Sequence, residues 1–437
     1  MVKPVVWVGY TTRYREGGPR FRQAAHTLAA ELRERAPDAE VRLTRVESKR
    51  EFLQEMAELA PGSLAQLHLV AHGGMYGPMF GSRQWPEQFS RHEWSLTRLP
   101  FARGGQAFFH TCRSARWFAP YFAETFGVEA HGYYWYTTFS RSRHRFAWVP
   151  PTHPADAPLY VFGCKGRKSH GWLGAVGKYS GNAVPEVMRS YRPEARSAAG
   201  YDAVAELYDT AFQDIRVRAD EWRWLKARLE SSPPLSIVDL GCGNGALLCQ
   251  LAPELARGIG LDASSEMVAR ARSNARVRGW APRLHFDTLT GPSLPVPDQS
   301  VDRVVSLLSF RYLDWDPIVK EVRRVLRPGG RLLVIDMVQS PLRVWQAPAL
   351  LHSKWRTLAA AHRFAPYRRA LGRLLADPGW AKMLESHPMR AEHELAWYLG
   401  SRFPKGRMEL LNVGFKSKIL AFDSGPIHPV GRAQGRE

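Results

Sequence analysis

The sequence has few cysteines and no long apolar run. Its 437 residues include four cysteines, too few for a disulfide scaffold, and none form the paired C-x-x-C pattern of a zinc site. This cysteine usage is typical of a reducing cytoplasm, so we expect a cytoplasmic protein without a metal centre. No uncharged apolar stretch reaches membrane-spanning length, and the first residues lack the features of a cleaved signal peptide. We therefore expect neither a membrane span nor a secretory signal.

Acidic residues are scarce relative to basic ones. The chain has 41 Asp and Glu against 61 Lys and Arg, which gives a net charge of +20. The excess is uneven, with +11 in residues 1–200, zero in 201–340 and +9 in 341–437. A nucleic-acid binder, a membrane-surface protein and a basic enzyme all fit the total, but the partition indicates two separate basic surfaces.

Strand and helix patterns alternate twice along the chain, which predicts two α/β domains with mostly parallel sheets. The first domain is predicted over residues 1–150, and residues 151–196, rich in Pro, Gly, Ser and Lys, are predicted to be loops and a linker. The second domain is predicted over residues 197–437. No internal repeat or low-complexity tract is present.

A glycine-rich segment, Val238–Gly245, follows a predicted strand and opens a predicted helix. Glycines there let the backbone turn sharply, and the helix start presents N–H groups to a ligand. Asp262 ends the next predicted strand, where a carboxylate can accept hydrogen bonds from ribose hydroxyls. The spacing Gly241-x-Gly243-x-x-Ala246 also fits a dinucleotide site, so the loop alone leaves two cofactor classes open.

Three further features distinguish these classes. Asp239 lies two residues before the first glycine, where a negative charge would not help a pyrophosphate. Gly245 completes a G-x-G-x-G pattern. Downstream, the segment 295–306 leads into Leu326-Arg-Pro-Gly-Gly-Arg-Leu332.

With these motifs in order, residues 201–337 resemble the class I S-adenosylmethionine-dependent methyltransferases. Tyr201-Asp202-x-x-Ala205-x-x-Tyr208-Asp209 also matches the first helix of that group. The resemblance implies a Rossmann-like, doubly wound, seven-stranded sheet and S-adenosylmethionine as cofactor. The residues that it implies at the cofactor are Tyr208, Asp239, Gly241, Cys242, Gly243, Asp262, Ala263, Met267, Asp287, Ser306 and Leu307.

The resemblance implies a role for each part of this set. Asp239 and Gly241 to Gly243 would hold the methionine end, with Ser306 and Leu307 beside it. Asp262 would take the ribose hydroxyls, Ala263 and Met267 would pack beside the adenine, and Tyr208 would close over the site. The family's acidic residue normally stands four positions before the L-P pair; here Thr290 has that spacing. We favour Asp287 for the adenine amino group because it directly follows a predicted strand.

The resemblance further implies methyl transfer to an acceptor that the motifs do not identify. Residues 341–400 are predicted to form a helical, aromatic cap on the acceptor side, and Leu410–Phe422 the closing antiparallel strands. Because the predicted cofactor core is neutral and the cap is basic, we expect an anionic small-molecule acceptor rather than a nucleic acid. No residue has a spacing that identifies a general base, and the oligomeric state is not predicted.

Two chemically active residues end neighbouring predicted strands of the first domain. His72 precedes two glycines and Cys112 follows an apolar run, so both side chains are expected at the carboxyl edge of the sheet. A thiol beside an imidazole can act as a nucleophile, with backbone N–H groups stabilising an oxyanion. The pair resembles the dyad of caspase-like cysteine peptidases, which implies a caspase-like α/β sandwich.

Three readings of the first domain stay open: an active His72-Cys112 dyad, an inactive caspase-like binding module and an unrelated α/β domain. The alternative function for the whole chain is a cysteine hydrolase with an accessory methyltransferase domain; a third is a regulatory binder with two degenerate domains. The aromatic run 131–136, followed by Arg141, Arg143 and Arg145, fits either a nucleic-acid platform or, as we favour, a core strand and a basic loop.

Overall fold

The computed structural model describes residues 3–165, 172–180, 183–193, 204–230, 233–340, 342, 344–351, 365–381, 389–414 and 417–428. The chain divides into two compact units, Met1–Arg196 and Ser197–Glu437. Among the helices of the described ranges, none is both long and apolar enough to cross a membrane.

The first unit contains a six-stranded sheet and flanking helices. Its elements are β1 (Val5–Tyr10), α1 (Gly18–Arg35), β2 (Glu40–Arg45), α2 (Lys49–Ala57), β3 (Leu64–Val70), the two-residue strands β4 (Gly73–Gly74), β5 (Gly77–Pro78), β6 (Phe80–Gly81) and β7 (Pro86–Glu87), α3 (Arg91–Leu96), β8 (Phe101–His110), α4 (Phe118–Phe126), β9 (Glu129–Gly132), β10 (Tyr136–Ser140), β11 (Tyr160–Cys164), α5 (Trp172–Tyr179) and β12 (Arg189–Tyr191). The main sheet has the order β12-β9-β8-β3-β1-β2. Its strands are parallel except β12, which pairs antiparallel with β9.

Helices cover both faces of this sheet. On one face α1 packs Phe21 and Ala25 against Val6 and Val8 of β1. On the other face α2, α3 and α4 pack a set of aromatic side chains against β1 and β8, namely Phe52, Trp94, Phe118 and Phe122 on Trp7 and Phe109. β1 is buried on both faces, and its sequence is accordingly a continuous apolar run, as expected of a central parallel strand.

The structure differs from the predicted loops and linker over residues 151–196. β11 forms a hairpin with β10, α5 follows, and β12 joins the edge of the main sheet. The sequence pattern missed these elements because they are short and are held by partners far along the chain: Gly163 with Glu186, and Ser190 with His131. Pairing of this kind leaves little local periodicity.

The second unit contains a seven-stranded sheet. Its elements are α6 (Ala205–Ala211), α7 (Ala219–Leu229), β13 (Leu235–Leu240), α8 (Ala246–Leu251), β14 (Leu255–Asp262), α9 (Ser265–Val277), β15 (Leu284–Thr288), β16 (Val301–Leu307), α10 (Trp315–Val325), β17 (Leu326–Gln339), α11 (Ala365–Ala376), α12 (Glu392–Arg402), β18 (Arg407–Val413) and β19 (Ser417–Asp423). The strand order is β15-β14-β13-β16-β17-β19-β18. Six strands point in the same direction, and β19 runs antiparallel between β17 and β18. The predicted seven-stranded sheet is confirmed.

Two helical layers bury this sheet. Helices α7, α8 and α9 cover one face, where Leu225, Leu248 and Ala271 meet Ile237 and Val305. Helices α10 and α12 cover the other face. The apolar side chains of α10 recur at helical spacing, at Ile318, Val319, Val322 and Val325, and all four are buried. The sheet is thus wound on both sides, and its carboxyl edge carries the predicted cofactor residues.

Candidate active site

The loop after β13 is built on three glycines with left-handed backbone. Gly241, Gly243 and Gly245 have φ values of 74°, 53° and 74°, which favour glycine. A Cβ atom on Gly241 would lie 2.3 Å from the Cβ of Ser309. The N–H groups of Gly241 and Cys242 donate to the Leu261 carbonyl at 2.7 and 3.1 Å, which ties the loop to β14. The loop is therefore fixed in place before any ligand binds.

The turn after β16 packs against the same loop. Leu308 has φ 59°, a strained conformation for a leucine, and it directs the chain so that Ser309 faces Gly241. The hydroxyls of Ser306 and Ser309 both donate to the Leu240 carbonyl, at 3.1 and 2.6 Å. Ser306 is fully buried, and Ser309 is the serine that contacts Gly241. The sequence analysis did not indicate Ser309. Its only sequence signal is its place just beyond the predicted strand.

Asp262 lies at the end of β14 and directly contacts the glycine loop. Its carboxylate accepts hydrogen bonds from the N–H groups of Gly243 at 2.8 Å and of Ser264 at 2.9 Å. Ala263, the next residue, is exposed, whereas Met267 is buried in the first turn of α9. The Ser264 hydroxyl caps that helix by accepting from the Met267 N–H at 3.1 Å.

Asp239 lies beneath the loop and is 2% exposed. Within the described residues its Oδ1 has no hydrogen-bond partner. Burial, together with the nearby Asp262 carboxylate, raises the pKa of Asp239 to about 7. A buried carboxyl group with an unused oxygen is complementary to a cationic ligand group, which would pair with it and restore its ordinary ionisation.

Cys242 occupies the second position of the loop and is also buried. Burial, and then the carboxylates of Asp262 and Asp239, raise the pKa of its thiol. The thiol is therefore neutral at physiological pH and serves as a small packing group in the loop wall, next to Gly260.

Helix α6 covers the glycine loop. A Cβ on Gly243 would lie 3.5 Å from the ring of Tyr208, so this tyrosine closes on the loop. The Asn244 amide donates to Asp209 at 2.7 Å and to the Phe212 carbonyl at 3.3 Å, which joins the loop to the helix. Apart from its place between two glycines, Asn244 has no signal in the sequence. Tyr201 and Asp202 of the quoted motif lie outside the described residues.

Asp287 and Thr290 differ in position. Asp287 belongs to β15 and pairs in register with Leu261, one residue before Asp262. Its carboxylate accepts from the Thr288 N–H at 2.9 Å and from Arg272 at 3.4 Å. Thr290 is exposed in the following loop. Of the two, only Asp287 stands in the strand beside the cofactor edge.

Comparison with known proteins identifies this part of the chain. Residues 238–334 match the protein-family profile described as a methyltransferase domain. They form a methyltransferase domain. Its cofactor is S-adenosylmethionine. The buried carboxyl group of Asp239, with its unused oxygen, fits this cationic cofactor.

Two curated proteins and one solved structure are similar to the methyltransferase domain. Methyltransferase GfsG of Streptomyces halstedii is 35% identical over 116 residues, 26% of this chain and 42% of that protein. Demethylmenaquinone methyltransferase of Thermus thermophilus is 33% identical over 148 residues, 32% of this chain and 66% of that protein. A solved S-adenosylmethionine-dependent methyltransferase from Aquifex aeolicus has 16% identity and TM-score 0.34, covering 51% of this chain and 97% of that one. This chain spans less than two thirds of each curated relative.

In the first unit, His72 and Cys112 each lie two residues beyond adjacent parallel strands. Val70 of β3 pairs in register with His110 of β8. A Cβ on Gly73 would lie 3.1 Å from the Cys112 nitrogen, so the two turns touch. The structure thus brings both residues to one sheet edge.

Each side chain of this pair has a defined neighbour. The Nε2 of His72 lies 3.0 Å from the Glu16 carbonyl oxygen, which can only accept, so Nε2 carries the proton. The Cys112 sulfur accepts from the Thr137 N–H at 3.3 Å and lies 3.1 Å from the Thr137 hydroxyl. Thr137 is therefore a further residue of this site, with no signal in the sequence.

The aromatic run 131–136 packs against arginines of its own chain. Arg116 stacks on both Tyr134 and Trp135 at 4.7 Å, and Arg113 on Tyr136 at 5.6 Å. These cation–π contacts occupy the rings that a base would stack on. Among the described residues, no group of three or more His, Cys, Asp or Glu side chains could hold a metal ion.

Proposed function

We propose that the protein transfers a methyl group from S-adenosylmethionine to an anionic small-molecule acceptor, using residues 197–437. One observation carries the proposal: the buried Asp239, with an unused oxygen, lies under a fixed glycine loop in a domain that matches methyltransferases. Asp262, on the same loop, would hold the ribose hydroxyls.

The residues of the site supply orientation and exclude water. The cofactor carries its methyl group on a positively charged sulfur, which makes the group ready for direct displacement. Asp239 would compensate positive charge at the methionine end, Tyr208 would cover the loop, and Ser309 would hold the turn beside Gly241 in place. Alignment within the site then provides much of the rate. We assign no general base.

The acceptor is proposed to be anionic because a basic helix, α11, packs against α6. We call α6 the lid because it covers the glycine loop. Helix α11 packs Leu374 and Tyr367 against α6, the helix that carries Tyr208. Its sequence contains Arg368, Arg369 and Arg373 and no acidic residue, and all three arginines are exposed. This charge beside the lid would attract an anion, and its effect would weaken with salt.

Calorimetry with S-adenosylmethionine tests the cofactor part. We expect saturable binding, and Asp262→Ala should weaken it at least 100-fold because the ribose hydroxyls lose their acceptor. Asp298→Ala is the matched control, since Asp298 is exposed and pairs with Arg324 at 2.6 Å at the other end of the sheet. No binding at millimolar cofactor would refute the proposal.

A second candidate function is cysteine hydrolysis by His72 and Cys112. The observation that favours it is the contact between the turns that bear His72 and Cys112, where a Cβ on Gly73 would meet the Cys112 backbone. A thiol-reactive peptide electrophile should label Cys112, and His72→Ala should slow the labelling at least tenfold. Equal labelling of both proteins would refute the hydrolase candidate and leave methyl transfer untouched.

A further inference from the structure

A concave site lies in the second unit, residues 197–437, which we call the methyltransferase unit. It lies away from the cofactor loop. Its volume is about 580 Å³, in the range of small-molecule sites. Arg331, in the first half of β17, pairs in register with Arg303, which in turn pairs with Ile237 near the start of β13. The cavity therefore lies at the amino ends of these parallel strands, opposite the cofactor edge. It is lined by Ala227, Arg228, Arg331, Lys405, Arg407, Glu409, Asp423, Gly425 and Pro426.

Two glycine turns build the wall of this cavity. A Cβ on Gly406 would lie 2.4 Å from the Phe422 ring, so the turn that bears Lys405 and Arg407 can approach β19 only with glycine there. Gly425 has φ 68° and lies against the Lys405 carbonyl. The two turns thus hold both cations at the rim in a fixed backbone geometry.

The charges of the lining do not cancel. Asp423 pairs with Arg331 at 3.0 Å and with Arg228 at 3.5 Å. Arg228 also pairs with Glu409 and stacks on Trp224 at 3.9 Å. The two carboxylates of the cavity are thereby used by its two inner arginines.

Lys405 and Arg407 supply the excess. Both are exposed, and within the described part of the chain no carboxylate lies within 4.0 Å of either one. The cavity therefore has a surplus of two positive charges.

We propose that this cavity binds a phosphorylated small molecule, with its phosphate held by Lys405 and Arg407. A phosphate monoester carries close to two negative charges at neutral pH, which matches the surplus, whereas a carboxylate carries one. Guanidinium groups also match phosphate oxygens in geometry. The concave shape and the presence of Glu409 and Asp423 in the lining favour a compact ligand over a nucleic-acid strand.

Pyrophosphate is the probe for this site. Calorimetry on the full chain at constant ionic strength should show saturable binding. The double variant Lys405→Gln, Arg407→Gln should weaken it at least tenfold, because both rim cations are removed. The matched control is Arg276→Gln, Arg278→Gln, which removes the same charge from exposed positions at the end of α9 and should change the affinity less than threefold.

The outcomes separate this proposal from the methyl-transfer proposal. Asp262→Ala should leave pyrophosphate binding unchanged; loss of both ligands in that variant would place pyrophosphate at the cofactor loop and overturn the inference. Absence of saturable binding, or equal losses in the two double variants, would also overturn it. The inference would likewise be overturned if a short oligonucleotide bound through Lys405 and Arg407 and pyrophosphate did not bind.

Discussion

At the scale of single residues, the buried carboxyl of Asp239 suits a cationic ligand but lowers the stability of the ligand-free protein at neutral pH. Its carboxyl is buried and lies near a second carboxylate, so in the folded protein it holds a proton up to about pH 7. In the unfolded chain it ionises near its ordinary value of 3.8. Between these values the unfolded state binds fewer protons, so the stability of the ligand-free protein falls as pH rises.

This behaviour gives a first prediction. Asp239→Asn should remove the pH slope between about pH 4 and 7 and stabilise the ligand-free protein at pH 8 by up to about 4 kcal/mol. The same variant should bind S-adenosylmethionine at least tenfold more weakly, because the cation loses its counter-charge. Urea unfolding at pH 5 and pH 8 measures the first effect, and calorimetry the second. Asp156→Asn, at an exposed position, is the control; a slope unchanged by Asp239→Asn would contradict the assignment.

The charged and glycine residues near the loop could be placed from the sequence more easily than the amide and hydroxyl groups that contact them. Asp239, Asp262 and the glycines stand at fixed distances from strand ends, so their positions follow from the motif. Asn244 and Ser309 act through contacts with residues 30 or more positions away, such as Asp209 and Gly241. A linear pattern cannot show such pairings.

At the scale of elements, α6 is held to the glycine loop through one buried amide. Asn244 is 3% exposed and bonds both Asp209 and the Phe212 carbonyl. Asn274 adds a bond from α9 to the Asn244 carbonyl at 3.0 Å. The lid over the cofactor therefore depends on a side chain of the loop it covers.

A second prediction follows for this helix. Asn244→Ala should speed amide hydrogen exchange in residues 208–212 at least tenfold and weaken cofactor binding, because buried partners lose their hydrogen bonds at a cost of about 1–3 kcal/mol. Thr210→Ala is the control, since Thr210 is exposed on the same helix and, among the described residues, its hydroxyl bonds only to the Glu206 carbonyl of that helix. Similar exchange rates in the two variants would show that Asn244 does not hold the lid.

Elements with a strong local pattern were predicted closely, and elements held by distant partners were not. The apolar runs Val5–Tyr10 and Leu235–Leu240 predict strands over these residues, and β1 and β13 have those bounds. The apolar run Ala107–Phe109 predicts only the last part of β8, which begins at Phe101. The first part is hidden from the sequence pattern because Gly104, at φ 77°, lies in a bulge whose glycines resemble a turn. β12 has three residues and exists only by pairing with β9.

At the scale of the whole molecule, each unit has its own sheet and its own buried clusters. The six-stranded sheet is packed by Trp7, Phe52 and Trp94, and the seven-stranded sheet by Val304 and Val322 among others. Units built in this way usually fold alone.

The third prediction concerns this independence. Residues 197–437, produced alone, should unfold cooperatively and bind S-adenosylmethionine within threefold of the full chain, because the cofactor loop and its lid belong to that unit. Calorimetry on the fragment and the full chain in parallel measures this. An aggregated fragment, or one that binds more than tenfold more weakly, would show that the methyltransferase unit needs the first 196 residues.

The position of β19 has a consequence for biosynthesis. This strand lies between β17 and β18 but follows both of them in the sequence. Until Asp423 has left the ribosome, the hydrogen-bonding edge of β17 that bears Val334 and Ile335 has no partner strand. An apolar strand with an open edge can pair with other chains. The nascent methyltransferase unit therefore passes through a stage, before β19 is synthesised, in which protection by a chaperone would raise its yield.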